Sequence, residues 1–162
     1  MKILILGHGK NVPNTNSLST DKDYYEKLRK DDKNTIVTLD IDPKSEPDVI
    51  FDFREKKYPF DDKTFDIIID ASGLGLIRLY LKSEFWEEIN RILKLHGFFL
   101  GRRRSLFYNS SFLPGPSLLS DNDNASDEVA LINRYGFYQK HHPSNMNQSY
   151  LSLEKVHKPR YE

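Results

Sequence analysis

The chain has 162 residues, 38% of them hydrophobic and 30% charged, which is enough apolar material for one domain with a core. Its 24 basic residues balance 24 acidic ones, so the overall charge does not indicate nucleic acid or an anionic membrane as a partner. The absence of cysteine excludes disulfides, thiolate catalysis and cysteine-ligated zinc.

The apolar runs of the chain are all short. None reaches the roughly 18 residues that would predict a membrane span. The first run, at residues 2–6, is also too short for the apolar region of a signal peptide. We therefore expect a cytoplasmic protein with no membrane partner.

Seven of these runs predict strands. Residues 2–6 are aliphatic without interruption, which is typical of a central parallel strand covered by helices on both faces. Strands are also predicted at residues 35–39, 48–51, 65–69, 98–100, 136–138 and 150–154. The sequence thus predicts a multistranded sheet that begins with its own centre.

Helices are predicted between several of the strands, at residues 21–32, 84–95 and 126–134. The clearest is the second, because Phe85, Ile89 and Ile92 recur at helical spacing among charged residues. Gly97 is predicted as the left-handed residue that ends it. Trp86 is interpreted as packing between helix and sheet. Alternating strands and helices predict an α/β fold with parallel pairing and right-handed crossovers.

Acidic residues follow three of the first four strands. Asp40, Asp52 and Asp70 stand where the second, third and fourth strands end. Because parallel strands bring their carboxyl ends to one edge of a sheet, and ligands bind at that edge, we expect these carboxylates to line a ligand site. Asp42 could replace Asp40 if the second strand runs two residues longer, whereas Asp66 begins a strand and is predicted to be structural.

The segments that carry these residues resemble the class I S-adenosylmethionine-dependent methyltransferases. The resemblance covers nearly the whole chain, on the runs DIDP, PDVIFDFRE, YPFDDKTFDIIID, FWEEINRILKLHGFFLG and LINRYGFYQKHH, with SYLSLEKV closing it. It implies an α/β Rossmann-like methyltransferase fold. In that fold a mostly parallel seven-stranded sheet has the order 3-2-1-4-5-7-6, strand 7 is antiparallel, and helices cover both faces.

The resemblance implies S-adenosyl-L-methionine as cofactor. The cofactor-binding residues it assigns are Gly7, Gly9, Asp40, Asp52, Phe53 and Asp70. Gly7 and Gly9 match the turn where the amino-acid end of the cofactor passes close to the backbone, which requires residues without a Cβ. Asp40 matches the acid that accepts from both ribose hydroxyls, and Asp52 the acid that accepts from the adenine amino group beside the Phe53 backbone.

The predicted reaction is methyl transfer to an unidentified acceptor, either a small molecule or a protein. The loop after the fourth strand, Asp70 to Ser72, matches the family's substrate-facing loop. Asp70 and Ser72 are the candidates for a catalytic group, whose identity the sequence leaves unknown. The loop lacks the Asn-Pro-Pro-Tyr-like signature of amino-group methylation on bases.

Three departures from the family pattern favour an alternative function. Ile5 stands where the family usually has an acid, Asn11 replaces the third glycine, and the chain begins at the first strand without a segment to cover the cofactor. The alternative is a catalytically inactive methyltransferase-like protein that binds or regulates, with a partner protein supplying specificity. A different nucleotide or sugar-nucleotide enzyme using the same edge is a third reading.

The long segment at residues 101–124 is rich in polar residues and follows the predicted fifth strand. Within it, Arg103 and Tyr108 are candidate substrate contacts, and a solvated surface segment is the alternative. His141 and His142 have no partner at metal-ligand spacing, so no metal site is predicted. We expect one domain over residues 1–157 and a loose tail at 158–162.

Overall fold

The computed structural model describes residues 1–7, 27–71, 79, 82–102, 133–139 and 150–157. The strands are β1 Lys2–Leu6, β2 Thr35–Asp40, β3 Val49–Ile50, β4 Phe65–Asp70, β5 Leu93–Arg102, β6 Phe137–Gln139 and β7 Tyr150–Lys155. An α-helix, α1, spans Ser83–Ile92, and a 3-10 turn spans Pro43–Ser45. Residues 27–30 are also helical.

All seven strands form one sheet in the order β3-β2-β1-β4-β5-β7-β6. β1 pairs in parallel with β2 on one side and β4 on the other, while β7 runs antiparallel to both β5 and β6. The predicted order and the antiparallel seventh strand are confirmed. The opening strand lies near the middle of the sheet, as its unbroken apolar character predicts.

The core lies on both faces of the sheet because side chains alternate along each strand. From β1, Leu4 and Leu6 face one side and Ile3 and Ile5 the other, and all four are fully buried. The apolar side chains of α1 pack on the first face, and Leu28 from the helical residues 27–30 packs on the second. Helices therefore cover both faces, as predicted.

An aromatic cluster joins α1 to the sheet. The Trp86 ring makes edge-to-face contacts with Phe85, Phe99 and Phe137, at centroid distances of 5.2, 5.3 and 5.6 Å. Trp86 is thus a packing residue between helix and sheet, as interpreted from the sequence.

Within the described ranges, no helix is long and apolar enough to cross a membrane.

The junction of α1 and β5 differs from the prediction. The helix ends at Ile92, not Leu95, and Leu93 is already extended and begins β5. The assignment of Gly97 as a left-handed residue that ends the helix is wrong, because the C-cap Leu93 is extended and the left-handed residue nearby is His96, with a φ of 63°. Gly97 serves close packing instead, because a Cβ there would lie 2.9 Å from the carbonyl oxygens of Asp66 and Lys94.

Polar contacts attach the β6–β7 pair to α1. The Asn90 side-chain amide donates to the carbonyls of Tyr135 at 2.7 Å and His157 at 3.0 Å. The buried Lys155 ammonium donates to the carbonyls of Asn90 and Leu93, where the helix ends. A cation is favourable at that end because the last carbonyls of a helix carry partial negative charge.

Candidate functional site

The three predicted carboxylates lie along the carboxyl edge of the parallel strands. Asp40 is the last residue of β2, Asp70 is the last of β4, and Asp52 follows β3 by two residues. Leu6, at the end of the intervening β1, is in register with both Leu39 and Asp70. The sheet therefore places these acids at one edge, and their binding roles stay predictions.

Gly7 begins the turn that leaves β1 at this edge. Its N–H donates to the Leu39 carbonyl at 2.7 Å, and the Ala71 N–H donates to the Leu6 carbonyl at 3.0 Å, so the ladder extends just beyond the strands. The φ of Gly7 is 70°, in the left-handed region where an L side chain is strained. Glycine therefore suits this position, because it adopts a left-handed φ without the strain that a Cβ brings.

Asp40 is half-buried and already oriented by its own turn. Its Oδ1 accepts from the Asp42 N–H at 2.9 Å, the one hydrogen bond to this carboxylate within the described part of the chain. A carboxylate can accept about four hydrogen bonds, so capacity remains for two hydroxyl donors. Asp42 is exposed and accepts from the Lys44 N–H as the cap of the 3-10 turn. Asp40, rather than Asp42, therefore ends the strand.

Asp52 is held by Arg54, a contact that the sequence did not predict. The Arg54 side chain donates from Nη2 to Oδ2 at 2.6 Å and from Nε to Oδ1 at 2.9 Å, and its backbone N–H donates to Oδ1 at 2.9 Å. These hydrogen bonds lower the pKa of Asp52 to about 2. The group is thus an ionised acceptor near neutral pH, and a ligand donor would share it with Arg54.

Phe53 contributes backbone to this edge and a side chain to the core. Its ring is buried in the same cluster as Leu6 and Leu39. Its carbonyl accepts from the Tyr58 hydroxyl at 3.3 Å. The predicted role of Phe53 beside adenine is a backbone role, and the anchored ring is compatible with it.

Tyr58 was not identified as a site residue from the sequence. It is 2% exposed, and burial is the main cause that raises the pKa of its hydroxyl, followed by the negative charges of Glu88, Asp70 and Asp52. The hydroxyl therefore stays protonated and donates. One sequence feature could have identified Tyr58: it directly precedes Pro59 in a short polar turn. A large aromatic ring in such a turn is expected to be buried in the core.

Asp70 and Asp66 lie at opposite ends of β4. Asp70 is fully buried at the carboxyl edge. Asp66 accepts from the Lys2 N–H at 2.7 Å and from Lys94 Nζ at 2.8 Å, near the strand starts. This placement agrees with the prediction that Asp66 lies away from the carboxyl edge, while the site role of Asp70 stays a prediction.

Several predicted site residues lie outside the described residues. They are Gly9, Ser72, Arg103 and Tyr108. Their proposed contacts with cofactor or acceptor stay predictions. Within the described residues the structure brings Gly7, Asp40, Asp52, Phe53 and Asp70 to the carboxyl edge of neighbouring strands.

No protein-family model matches the sequence, and no curated protein matches it. Solved structures do match the fold. A SAM-dependent methyltransferase from Aquifex aeolicus is 15% identical, with 96% of this chain and 82% of that chain covered and a TM-score of 0.55. The aminoglycoside resistance methyltransferase NpmB1 is 14% identical over 96% and 87%, with a TM-score of 0.60.

A third similar structure is a putative methyltransferase in complex with the Haloferax volcanii Trm112 methyltransferase activator. It is 14% identical, with 96% of this chain and 83% of that chain covered and a TM-score of 0.52. At these identities the comparisons establish the fold: the chain has the Rossmann-like fold of class I methyltransferases.

Proposed function

We propose that this protein is an S-adenosyl-L-methionine-dependent methyltransferase acting on a small-molecule or protein acceptor. The observation that carries the proposal is the placement of Asp40 beside the Gly7 turn, at the carboxyl edge of β2 and β1. Similar folds belong to SAM-dependent methyltransferases, which supports the same cofactor here.

The described residues fit this cofactor chemically. Asp40 has acceptor capacity for two ribose hydroxyls, and the ionised Asp52 is suited to an amino-group donor. Gly7 presents backbone without a Cβ where the amino-acid end would pass. With Gly9, Phe53 and Asp70, these residues form the proposed cofactor site.

The cofactor would supply an activated methyl group on a sulfonium. The protein then has to hold the acceptor in line with that group and, for some acceptors, remove a proton. Of the two candidates for a catalytic group, Ser72 is proposed to contact the acceptor and Asp70 to act through the loop that follows it. Asp70 is fully buried at the end of β4, which suits a residue that orients the loop after it.

We further propose one cytoplasmic domain over residues 1–157. The Haloferax volcanii complex includes an activator protein, so a partner protein is an additional proposal for this chain. Co-purification from a lysate followed by methylation assays with and without the captured partner would test whether activity depends on it.

Isothermal titration with S-adenosylhomocysteine and S-adenosylmethionine tests the cofactor assignment. Removing the Asp40 carboxylate deletes hydrogen bonds to a charged acceptor, so Asp40→Ala should weaken binding by about 10- to 100-fold. Asp42→Ala is the matched control, because Asp42 is an exposed carboxylate two residues away whose removal should leave binding within about 2-fold.

Four results separate the hypotheses, three from this titration and one from methylation assays. Binding that depends on Asp40 supports the cofactor site. Binding that survives Asp40→Ala contradicts the placement of the ribose. No binding to the unaltered protein at millimolar ligand contradicts the methyltransferase proposal. Binding without methyl transfer to any class of acceptor supports the inactive, regulatory alternative.

A further inference from the structure

The segment between β3 and β4 carries Asp52 and Phe53 without regular secondary structure of its own. Its internal backbone hydrogen bonds are short-range, from the Glu55 N–H to the Asp52 carbonyl and from the Phe60 N–H to the Tyr58 carbonyl. Such short-range hydrogen bonds do not fix the orientation of the segment relative to the rest of the fold. The contacts that hold it must therefore come from other elements.

Tyr58 supplies several of these contacts, with both its backbone and its side chain. Its N–H donates to Glu88 Oε2 at 2.8 Å, and its carbonyl accepts from Arg91 Nη2 at 3.1 Å. Its ring packs edge-to-face on Phe51 at 5.1 Å, and its hydroxyl donates to the Phe53 carbonyl. One buried residue thus connects α1 to the segment at two points.

The anchor on α1 is an ion pair joined by two hydrogen bonds. Arg91 donates from Nε and Nη2 to the two oxygens of Glu88 at 2.8 and 2.7 Å, with the side chains 21% and 12% exposed. The remaining Arg91 nitrogen donates to the Phe60 carbonyl at 2.7 Å. A two-point pair between charged groups is geometrically specific, so the anchor fixes direction as well as distance.

The peptide unit that joins Phe53 and Arg54 transmits this anchoring to Asp52. Its carbonyl accepts from the Tyr58 hydroxyl, and its N–H donates to Asp52 Oδ1 at 2.9 Å. Because a peptide unit is planar, a hydrogen bond on one side of it sets the direction of the bond on the other. The orientation of the Asp52 carboxylate is therefore linked to the Tyr58 hydroxyl.

We infer that Tyr58 is a positioning residue for base recognition, which sets the Phe53–Arg54 peptide and through it the Asp52 carboxylate that selects a base bearing an amino group. This inference rests on the proposed function. It assigns selectivity for adenine over its oxo analogue to a tyrosine that does not itself touch the cofactor.

Tyr58→Phe is the test variant, because it removes the hydroxyl and keeps the packing of the ring. The dissociation constants of S-adenosylhomocysteine and of S-inosylhomocysteine, which has an oxo group in place of the amino group, are measured by titration calorimetry. Loss of one positioning hydrogen bond should reduce the preference for the adenine ligand by about 3- to 10-fold. Tyr135→Phe, at another buried tyrosine, should leave the preference unchanged.

The ratio of two dissociation constants distinguishes positioning from mere stability. Loss of folded protein lowers the binding stoichiometry or the melting temperature and leaves the ratio as it was. A Tyr58→Phe protein that melts lower yet keeps the full preference for adenine overturns the inference. A wild-type protein that binds neither ligand contradicts the proposed function. This result is distinct from failure of the inference, in which the variant binds both ligands with an unchanged ratio of dissociation constants.

A measurement without ligand tests the structural link directly. The amide resonance of Arg54 should move in Tyr58→Phe, because the carbonyl of the same peptide unit loses its donor, and should not move in Tyr135→Phe. An Arg54 amide that is identical in wild type and Tyr58→Phe contradicts the link whatever the protein binds.

Discussion

Two residues at the candidate site have special local environments: Gly7 has a left-handed backbone, and Asp52 forms an ion pair. Gly7 has a φ of 70° and donates to Leu39 at the end of the neighbouring strand. The Asp52 carboxylate is surrounded by donors from Arg54. At this scale the site is defined by one backbone conformation and one ion pair, and each can be tested separately.

Gly7→Ala should destabilise the protein, because a left-handed backbone costs an L residue about 1–2 kcal/mol. For a chain of this length, we expect the melting temperature to fall by roughly 2–8 °C, measured by calorimetry. Glu46→Gly is the control, since Glu46 is exposed, has a φ of 51° and is not one of the candidate site residues. That change should leave stability equal or slightly higher. An unaltered melting temperature for Gly7→Ala would show that the turn relaxes.

The carboxyl group of Asp52 should titrate at about pH 2, against an ordinary value of 3.8. Arg54→Met should raise its pKa toward that ordinary value, as followed by the ¹³C shift of the carboxyl carbon. Because the pKa is depressed on folding, the stabilisation from this pair is complete above the unfolded pKa and is lost as pH falls through the folded pKa. Because Asp52 is fully ionised well above its folded pKa, its titration should not affect binding or stability between about pH 5 and pH 8.

Asp62 is the internal reference for this titration. Its pKa is lowered by the hydrogen bond from Arg91, which Arg54→Met does not touch. The Asp62 titration should therefore be the same in both proteins. Equal Asp52 midpoints in wild type and Arg54→Met would refute the assignment of the shift to Arg54.

Among the elements, α1 has the widest set of roles. Its apolar face packs on the sheet, Glu88 and Arg91 hold the segment after β3, and the Asn90 carbonyl in its last turn accepts from Lys155 of β7. The helix thus connects the candidate site to the antiparallel end of the sheet. Its end at Ile92 matters for this, because Leu93 must already be extended to start β5.

Lys155→Met should lower the free energy of unfolding by about 1–3 kcal/mol, the cost of leaving buried carbonyls without a donor. Urea denaturation measures the change. Lys94→Met is the matched control, because Lys94 is 45% exposed and pairs with Asp66 near the surface, where such pairs contribute about 0–1 kcal/mol. Equal losses for the two variants would contradict a special role for the buried lysine at the helix end.

At the scale of the molecule, stability depends on the central strand more than on the edges. β1 supplies fully buried residues to both faces of the sheet, whereas β3 is a two-residue edge strand whose Ile50 is 61% exposed. Core contributions scale with the apolar surface removed from water and with the cavity that a truncation leaves. The centre and the edge of one sheet should therefore respond very differently to the same kind of change.

Leu4→Ala should cost about 2–5 kcal/mol of unfolding free energy, as is usual for leucine truncations in a packed core. Ile50→Ala, at the exposed edge, should cost no more than about 0.5 kcal/mol. Both are measured by urea denaturation with unchanged m-values. Comparable losses at the two positions would mean that the edge is covered in solution.

The pattern of apolar runs was sufficient to locate the inner strands. A strand buried on both faces needs an unbroken apolar run, so residues 2–6 were identified with the bounds that the structure shows, and β4 differs only by the addition of Asp70. The resemblance added the strand order and the antiparallel β7, both confirmed. The positions of Asp40 and Asp70 at the carboxyl edge of the sheet were predictable because the bounds of their strands were.

The sequence by itself determined the parallel centre of the sheet and the edge where its acids emerge, because these depend on the hydrophobicity of neighbouring residues along the chain. Only the tertiary structure decided where α1 ends, that His96 rather than Gly97 is left-handed, and that Tyr58 holds the Phe53 peptide. Gly97 is needed because a Cβ there would clash with the Asp66 carbonyl, and the Tyr58 N–H donates to Glu88. In both cases the partner lies about thirty residues away along the chain. Local periodicity carries no information about such contacts, since they exist only once the elements have packed.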